Sequence, residues 1–203
     1  MFISLEGIDG CGKTTQAGLL ADALGDEAVR VREPGGAAAA EQMREILIDP
    51  DLPLDPRAEL MLFCAARAQV VAEVIRPALE SGKVVICDRF SDSTIAYQGM
   101  ARGLGVSETR SACEIATGGL WPDLTFYLEL DPDLAVLRID GGDRFEAEGV
   151  EFQRAVADGY GKLAESEPER IQVIDASRSQ EEIAGDLLAR VEEARLQTGG
   201  GGS

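Results

Sequence analysis

The chain has 203 residues, 37 of them Asp or Glu against 19 Lys or Arg, a formal net charge of −18, and no histidine. That balance excludes a broad electrostatic footprint for nucleic acid or an anionic membrane, so any bound phosphate must sit in a local basic pocket. Hydrophobic residues make up 45%, enough for one α/β domain with a sizeable core and a small insertion.

Phe2 to Leu5 is a short apolar strand, and directly behind it Gly7-Ile8-Asp9-Gly10-Cys11-Gly12-Lys13-Thr14 matches the phosphate-binding pattern G-x-x-x-x-G-K-[ST]. The glycines let backbone N–H groups turn inward around an anion. A helix opening near Lys13 adds the positive end of its dipole, and the lysine brings a point charge to the outer phosphates. Thr14 supplies a hydroxyl for Mg2+, with Thr15 following it on the helix. The strand ahead of the glycines argues against a chance match on a glycine-rich turn. Residues 7–15 are therefore expected to bind a nucleoside triphosphate.

Thr15 to Leu24 has apolar residues at helical spacing and stops at Gly25. A strand over Val29 to Arg32 precedes the turn Glu33-Pro34-Gly35-Gly36. Ala37 to Leu47 reads as a helix, Pro50 to Pro56 as a loop, and Arg57 to Glu80 as one long, largely buried helix. Lys83 to Cys87 is almost continuously apolar, the pattern of a central parallel strand covered on both faces, and Asp88 stands at its C-terminal edge. Helices over Ser91 to Gln98 and Ser107 to Thr117 follow, then a strand over Leu124 to Leu130 and a short helix over Pro132 to Ile139. A helix over Phe145 to Glu165, a strand over Ile171 to Ile174 and a helix over Gln180 to Gln197 complete the order. The alternation predicts an α/β, P-loop NTPase fold: a five-stranded parallel sheet flanked by helices on both faces, with ligands at the strand C-terminal ends. Residues 1–197 are expected to form one domain, with a candidate lid over 138–149 and a flexible glycine-rich tail over 198–203.

The four cysteines, Cys11, Cys64, Cys87 and Cys113, are scattered without a C-x-x-C pair. They read as small buried residues of a reducing compartment. Met1 leads straight into the first strand and no apolar run is long enough to span a bilayer, so no signal peptide and a cytoplasmic location are expected. The acidic surplus reads as a solvated surface suited to high salt, where the screening length falls to about 3 Å at 1 M.

Four arginines stand among apolar or glycine neighbours: Arg32, Arg44, Arg67 and Arg89. Taken singly each is an ordinary surface ion-pair candidate. Arg89 differs, because the Asp88-Arg89 pair follows a buried strand and opens onto the same crevice as the phosphate loop. Asp88 then suits Mg2+, directly or through water, and Arg89 suits an acceptor phosphate.

With these segments together the chain resembles the thymidylate kinases. The resemblance rests on residues 6–15, Arg32-Glu33-Pro34-Gly35-Gly36, the Leu62 to Arg67 stretch, residues 88–99, Arg102-Gly103, Pro122 to Thr125, Asp143-Arg144-Phe145-Glu146 and Ile174 to Ala176, in the family's order. It implies Mg2+-dependent transfer of the ATP γ-phosphoryl group to dTMP, and a homodimer to which the helix over Arg57 to Glu80 contributes. By resemblance Phe63 stacks on thymine, Arg67 donates to its O4, Thr94 and Gln98 address the remaining base edge, and Tyr97 packs under the sugar. Phe63 and Tyr97 also suit an ordinary core. Asp9 faces the sugar 3′-hydroxyl and acceptor phosphate, Arg44 and Arg89 hold that phosphate, and Arg32 and Pro34 lie close by. Lys13, Asp9, Arg89 and Arg144 form the implied catalytic set. The phosphate loop carries no arginine, so the lid must supply the mobile cation; Arg144 is expected in that role, with Arg138 second, on the adenine side. Two other readings stay open. A deoxynucleoside kinase would use a carboxylate such as Glu33 as general base, and a nucleotide-driven switch would need no acceptor.

Overall fold

The computed structural model describes residues 1–138, 144–145 and 148–199. Five strands form one sheet in the order β2-β3-β1-β4-β5, every pair parallel: β1 (Phe2–Glu6), β2 (Ala28–Arg32), β3 (Val84–Asp88), β4 (Leu124–Glu129) and β5 (Ile171–Asp175). β1 and β3 are buried along their whole length. A strand hidden on both faces can carry apolar residues at successive positions, and helices must cover both sides.

Side-chain alternation sorts the two faces. Ile3, Leu5 and Ile86 share a core with Ala17 and Leu20 of α1 (Lys13–Leu24) and with Ile183, Leu187 and Val191 of α9 (Gln180–Gly199). Phe2, Val85 and Cys87 point the other way, onto Ala66 and Val70 of α3 (Pro56–Val70) and onto Val71 and Ile75 beyond it. Tyr160 of α8 (Val150–Ser166) stacks on Tyr127 of β4 at 5.1 Å, on the same side as Glu6. Connections from the neighbouring strands β1 and β3 therefore leave on opposite faces, which opens a crevice between their C-terminal ends.

The strands and most helices lie where the sequence pattern put them, and the departures are local. The helix expected over 57–80 is interrupted by a π-helical turn, Val71–Ile75, before α4 (Arg76–Glu80). Pro77 lacks an N–H and its ring collides with a regular i−4 carbonyl, so the preceding turn widens. The helix expected from Ser91 is α5 (Ser91–Thr94) followed by a second π-helical stretch, Ile95–Ala101, ahead of α6 (Val106–Thr117). Helix α8 starts at Val150 rather than Phe145, behind Gly149 at φ 84°; Phe145 is instead buried. The short helix α7 covers Pro132–Val136. Of the candidate lid, residues 139–143 and 146–147 lie outside the described residues, as do residues 200–203 of the expected tail, whose first two positions extend α9. Among the described residues no helix is long and apolar enough to cross a membrane.

Candidate active site

The crevice holds a cavity of about 580 Å³ lined from the ends of β1, β2 and β3 and from α2 (Ala38–Ile48), α3 and the helical stretch after β3. Its floor is the phosphate loop. Gly7, at φ 143°, carries no side chain where a Cβ would stand 2.6 Å from the Leu128 carbonyl and 2.8 Å from Cys11 Sγ. Gly12, at φ 98°, turns the chain into α1. Ile8 and Cys11 send their side chains into the core, so their contribution to an anion site is backbone N–H. Lys13 Nζ donates to the Ile8 carbonyl at 2.7 Å and to Cys11 Sγ at 3.5 Å, folded over its own loop. Thr14 Oγ1 donates to Asp88 Oδ2 at 2.5 Å. Two hard oxygens, one from the first turn of α1 and one from the end of β3, thus stand side by side at the loop's edge, the donor type that Mg2+ takes in small number alongside phosphate oxygens.

Arg89 has a backbone φ of 69° and is the one described non-glycine residue in the left-handed region, a conformation that costs about 1–3 kcal/mol and persists only when its surroundings over-determine it. Those surroundings are visible. Arg89 N–H donates to the Leu5 carbonyl at 3.0 Å. Its Nη1 reaches the Gly7 carbonyl at 2.8 Å and Ser93 Oγ at 3.2 Å, while Nη2 pairs with Asp9 Oδ1. The guanidinium also lies 5.2 Å over the Tyr97 ring. Asp9 Oδ2 accepts from Tyr97 at 3.2 Å and from Gln153 Nε2 at 3.3 Å. Burial alone would raise the Asp9 carboxyl, but Arg89, Lys13 and the Gln153 bond outweigh it and hold it below the usual range.

Beneath them lies Glu6, fully buried. It accepts from Phe90 N–H at 2.7 Å, from Ser93 Oγ at 2.6 Å and from Tyr160 at 3.0 Å. Burial, with Asp92 nearby, pushes its carboxyl up to about 7 against the pull of Ser93 and Arg89.

The far wall of the cavity is built for a planar group. Phe63 stands 5.7 Å from Phe145, which in turn meets Tyr97 edge-on at 6.1 Å. Arg67, 1% exposed, donates through Nε to Glu33 Oε2 at 2.7 Å and through Nη2 to the Phe90 carbonyl at 3.1 Å, with Nη1 3.6 Å from Cys113 Sγ. Burial raises the Glu33 carboxyl to about 7 although Arg67 pulls it down. Thr94 and Gln98 line the same wall and are buried. At the mouth, Arg32 pairs with Glu41 at 3.1 Å, and Arg44 Nη1 donates to the Pro34 carbonyl at 3.0 Å, next to the cis Glu33–Pro34 peptide. Thr15 and Arg138 also border the cavity.

The structure therefore brings most of the sequence-predicted residues into one cavity; Gly7, Ile8 and Cys11 of the loop are not among its lining, and the clear departure lies elsewhere. Arg144, expected as the mobile cation, lies outside the lining: its Nη1 is 2.7 Å from Glu59 Oε2, its Nε donates to the Leu47 carbonyl at 3.0 Å, and its guanidinium covers Phe145 at 4.8 Å. Asp-Arg-Phe placed it beside a helix start by pattern, but the described conformation pairs it with a buried carboxylate instead. Arg138 is the described lid arginine on the cavity. Sequence reasoning missed Ser93, Gln153, Phe145, Glu41 and Glu59. Only Phe145 carried a signal, inside Asp-Arg-Phe-Glu; the others are ordinary polar residues until the fold pairs them. Glu33, weighed as a general base, is tied to Arg67 and so is not set for that work.

A parallel sheet with a phosphate loop at its switch point and arginines lining the same cavity defines a P-loop phosphotransferase of the nucleotide kinase class. A family profile described as thymidylate kinase matches residues 5–187. The chain belongs to the thymidylate kinase family. It is 50% identical over 199 residues to the thymidylate kinase of Synechococcus sp. (strain JA-3-3Ab), with 97% of each chain covered. The Halothermothrix orenii thymidylate kinase is 46% identical over 200 residues, with 94% of this chain and 96% of that one covered. Among solved structures, the crystal structure of the thymidylate kinase from Ehrlichia chaffeensis superposes with a TM-score of 0.80 at 34% identity, covering 94% of this chain and 98% of that one.

Proposed function

We propose that the chain transfers the γ-phosphoryl group of ATP to dTMP, giving dTDP and ADP. The observation that carries this reading is the single cavity in which the Asp9–Arg89 pair joins the phosphate loop to the Phe63–Arg67–Gln98 wall. The acceptor phosphate is already an anion at neutral pH, so the site needs no strong base; it must hold two polyanions in line and offset charge that develops in transfer. Lys13 leaves the Ile8 carbonyl for the outer phosphates. Arg89 and Arg44 face the acceptor phosphate, with Arg32 and Pro34 at its edge, and Asp9 turns toward the sugar 3′-hydroxyl. Thr14 and Asp88 hold Mg2+, which when bound neutralises phosphate charge. Phe63 stacks on thymine, a contact open to any base, so discrimination falls to Arg67 at O4 and to Thr94 and Gln98. Tyr97 occupies the room a ribose 2′-hydroxyl would need. Arg138, on the cavity, takes the role of mobile cation.

Residues 1–197 act as one domain in this reading. An exposed stripe of Ala58, Met61, Ala65 and Ala72 on the long helical segment supports a homodimer, since the three alanines let two helices approach closely and Met61 gives them an apolar contact. Four buried, free cysteines suit the reducing cytoplasm, and the −18 charge suits a salt-rich one. A coupled ADP-release assay with dTMP, dUMP, dCMP, dGMP, UMP and thymidine tests the reaction, with dTMP expected as the best acceptor. Turnover with thymidine alone would overturn it.

A further inference from the structure

Glu59 lies on α3, 1% exposed, outside every role assigned so far. Four donors converge on it. Gln98 Nε2 donates to Oε1 at 2.7 Å, Arg102 reaches both oxygens at 3.3 Å, and Arg144 Nη1 stands 2.7 Å from Oε2. Arg102 in turn is held by Glu148 at 2.5 Å. A carboxylate between two guanidinium groups has only acceptor atoms to offer. The Gln98 amide must therefore present its NH2 to Glu59, and the opposite flip would set its carbonyl against a carboxylate oxygen. One N–H of Nε2 is thereby committed to Glu59, and with the nitrogen end turned onto that carboxylate the acceptor this amide has left to offer the cavity is its oxygen.

We infer that Glu59 is the positioning residue that makes Gln98 an acceptor, and thereby selects an imide base. This rests on the proposed reaction with dTMP. Thymine and uracil carry a proton on N3 and donate there; cytosine carries a lone pair on N3 and would oppose the Gln98 oxygen. Thr94, whose hydroxyl can donate or accept, cannot make that choice alone. An unconstrained glutamine could rotate and serve either base. A site whose buried polar group is matched to one hydrogen-bonding pattern rejects the mismatched ligand far more strongly than an apolar pocket does.

The test is Glu59→Gln, which keeps an oxygen for Arg102 and Arg144 and turns an NH2 toward Gln98. Gln98 then rotates and shows its own NH2 to the cavity. The kcat/KM ratio of dTMP over dCMP should fall at least tenfold through a higher KM for dTMP, dUMP should fall in parallel with dTMP, and the KM for ATP should stay within twofold. The swap Glu59→Gln with Gln98→Glu returns an acceptor to the cavity and should restore the preference. A folded E59Q with an unchanged ratio, or one losing kcat equally on all three acceptors, overturns the inference. If E59Q does not fold, side-chain amide NMR on the wild-type chain decides: the Gln98 NH2 protons should exchange slowly and stay in place when dTMP binds, and their transfer onto the ligand overturns it. A wild-type chain inert toward dTMP would defeat the proposed reaction itself, a separate result from any change in E59Q.

Discussion

Replacing Glu33 by Ala strands the guanidinium of Arg67 in the interior. The pair is 3% and 1% exposed at its side chains and closes at 2.7 Å, so water does not screen it. Removing one member of such a pair costs about 3–5 kcal/mol, which for a domain of this size lowers the melting temperature by roughly 6–20 °C. The reverse change is milder. Arg67 cannot shed its charge, but the Glu33 carboxyl, already raised to about 7 by burial against the pull of Arg67, is mostly protonated at pH 6 and stays neutral once Arg67→Ala removes its partner. At pH 6, Arg67→Ala should then cost about 1–2 kcal/mol, chiefly its hydrogen bonds to Glu33 and the Phe90 carbonyl. The gap should narrow toward pH 8, because the fold then retains a proton that the unfolded chain releases. Removing both residues should recover most of what Glu33→Ala loses. Urea and thermal unfolding of the four proteins at pH 6 and pH 8 measure this. An Arg67→Ala loss equal to that of Glu33→Ala at pH 6, or a double variant less stable than Glu33→Ala, would refute the reasoning.

Glu6 also titrates upward in the fold, from 4.5 to about 7. Its contribution to stability is complete below about 4.5 and disappears as pH rises through 7, so the free energy of unfolding should increase on acidification from pH 8 to pH 5, by roughly 3 kcal/mol if Glu6 acts alone. Glu6→Gln should flatten that slope relative to wild type, and an unchanged slope would remove Glu6 from the account. Arg138→Ala should lower kcat at least tenfold with little change in the KM for dTMP, whereas Arg144→Ala, which takes one of two guanidinium partners from Glu59, should act mainly on stability and dTMP binding. Steady-state kinetics exchanging those two patterns would return the mobile cation to Arg144. Molar KCl should raise both the melting temperature and the activity of a chain with 37 acidic residues against 19 basic ones; equal values in dilute buffer would end the high-salt reading.

Much of the molecule was legible in the chain because its signals are local. The apolar run Phe2 to Leu5 before Gly7 to Thr14, and the run Lys83 to Cys87 before Asp88, place two strands and the crevice between them by period and punctuation alone. The phosphate loop works through backbone N–H groups and one lysine, so eight consecutive residues specify it. Helix limits were less readable. Whether Phe145 begins a helix or fills a pocket depends on Phe63 and Tyr97, residues far away in sequence that give it somewhere to be buried. The partners of charged side chains were unreadable. Glu33 meets Arg67 across 34 positions and Arg89 meets Asp9 across 80; no pattern in the chain says which of 37 acids will face which arginine. Sequence alone determined that a triphosphate loop lies beside an Asp-Arg pair in a parallel α/β sheet. Only the tertiary structure decided that Arg144 rests on Glu59 while Arg138 borders the cavity, because the energy of a charge depends on burial and distance, and both come into being only when the chain is packed.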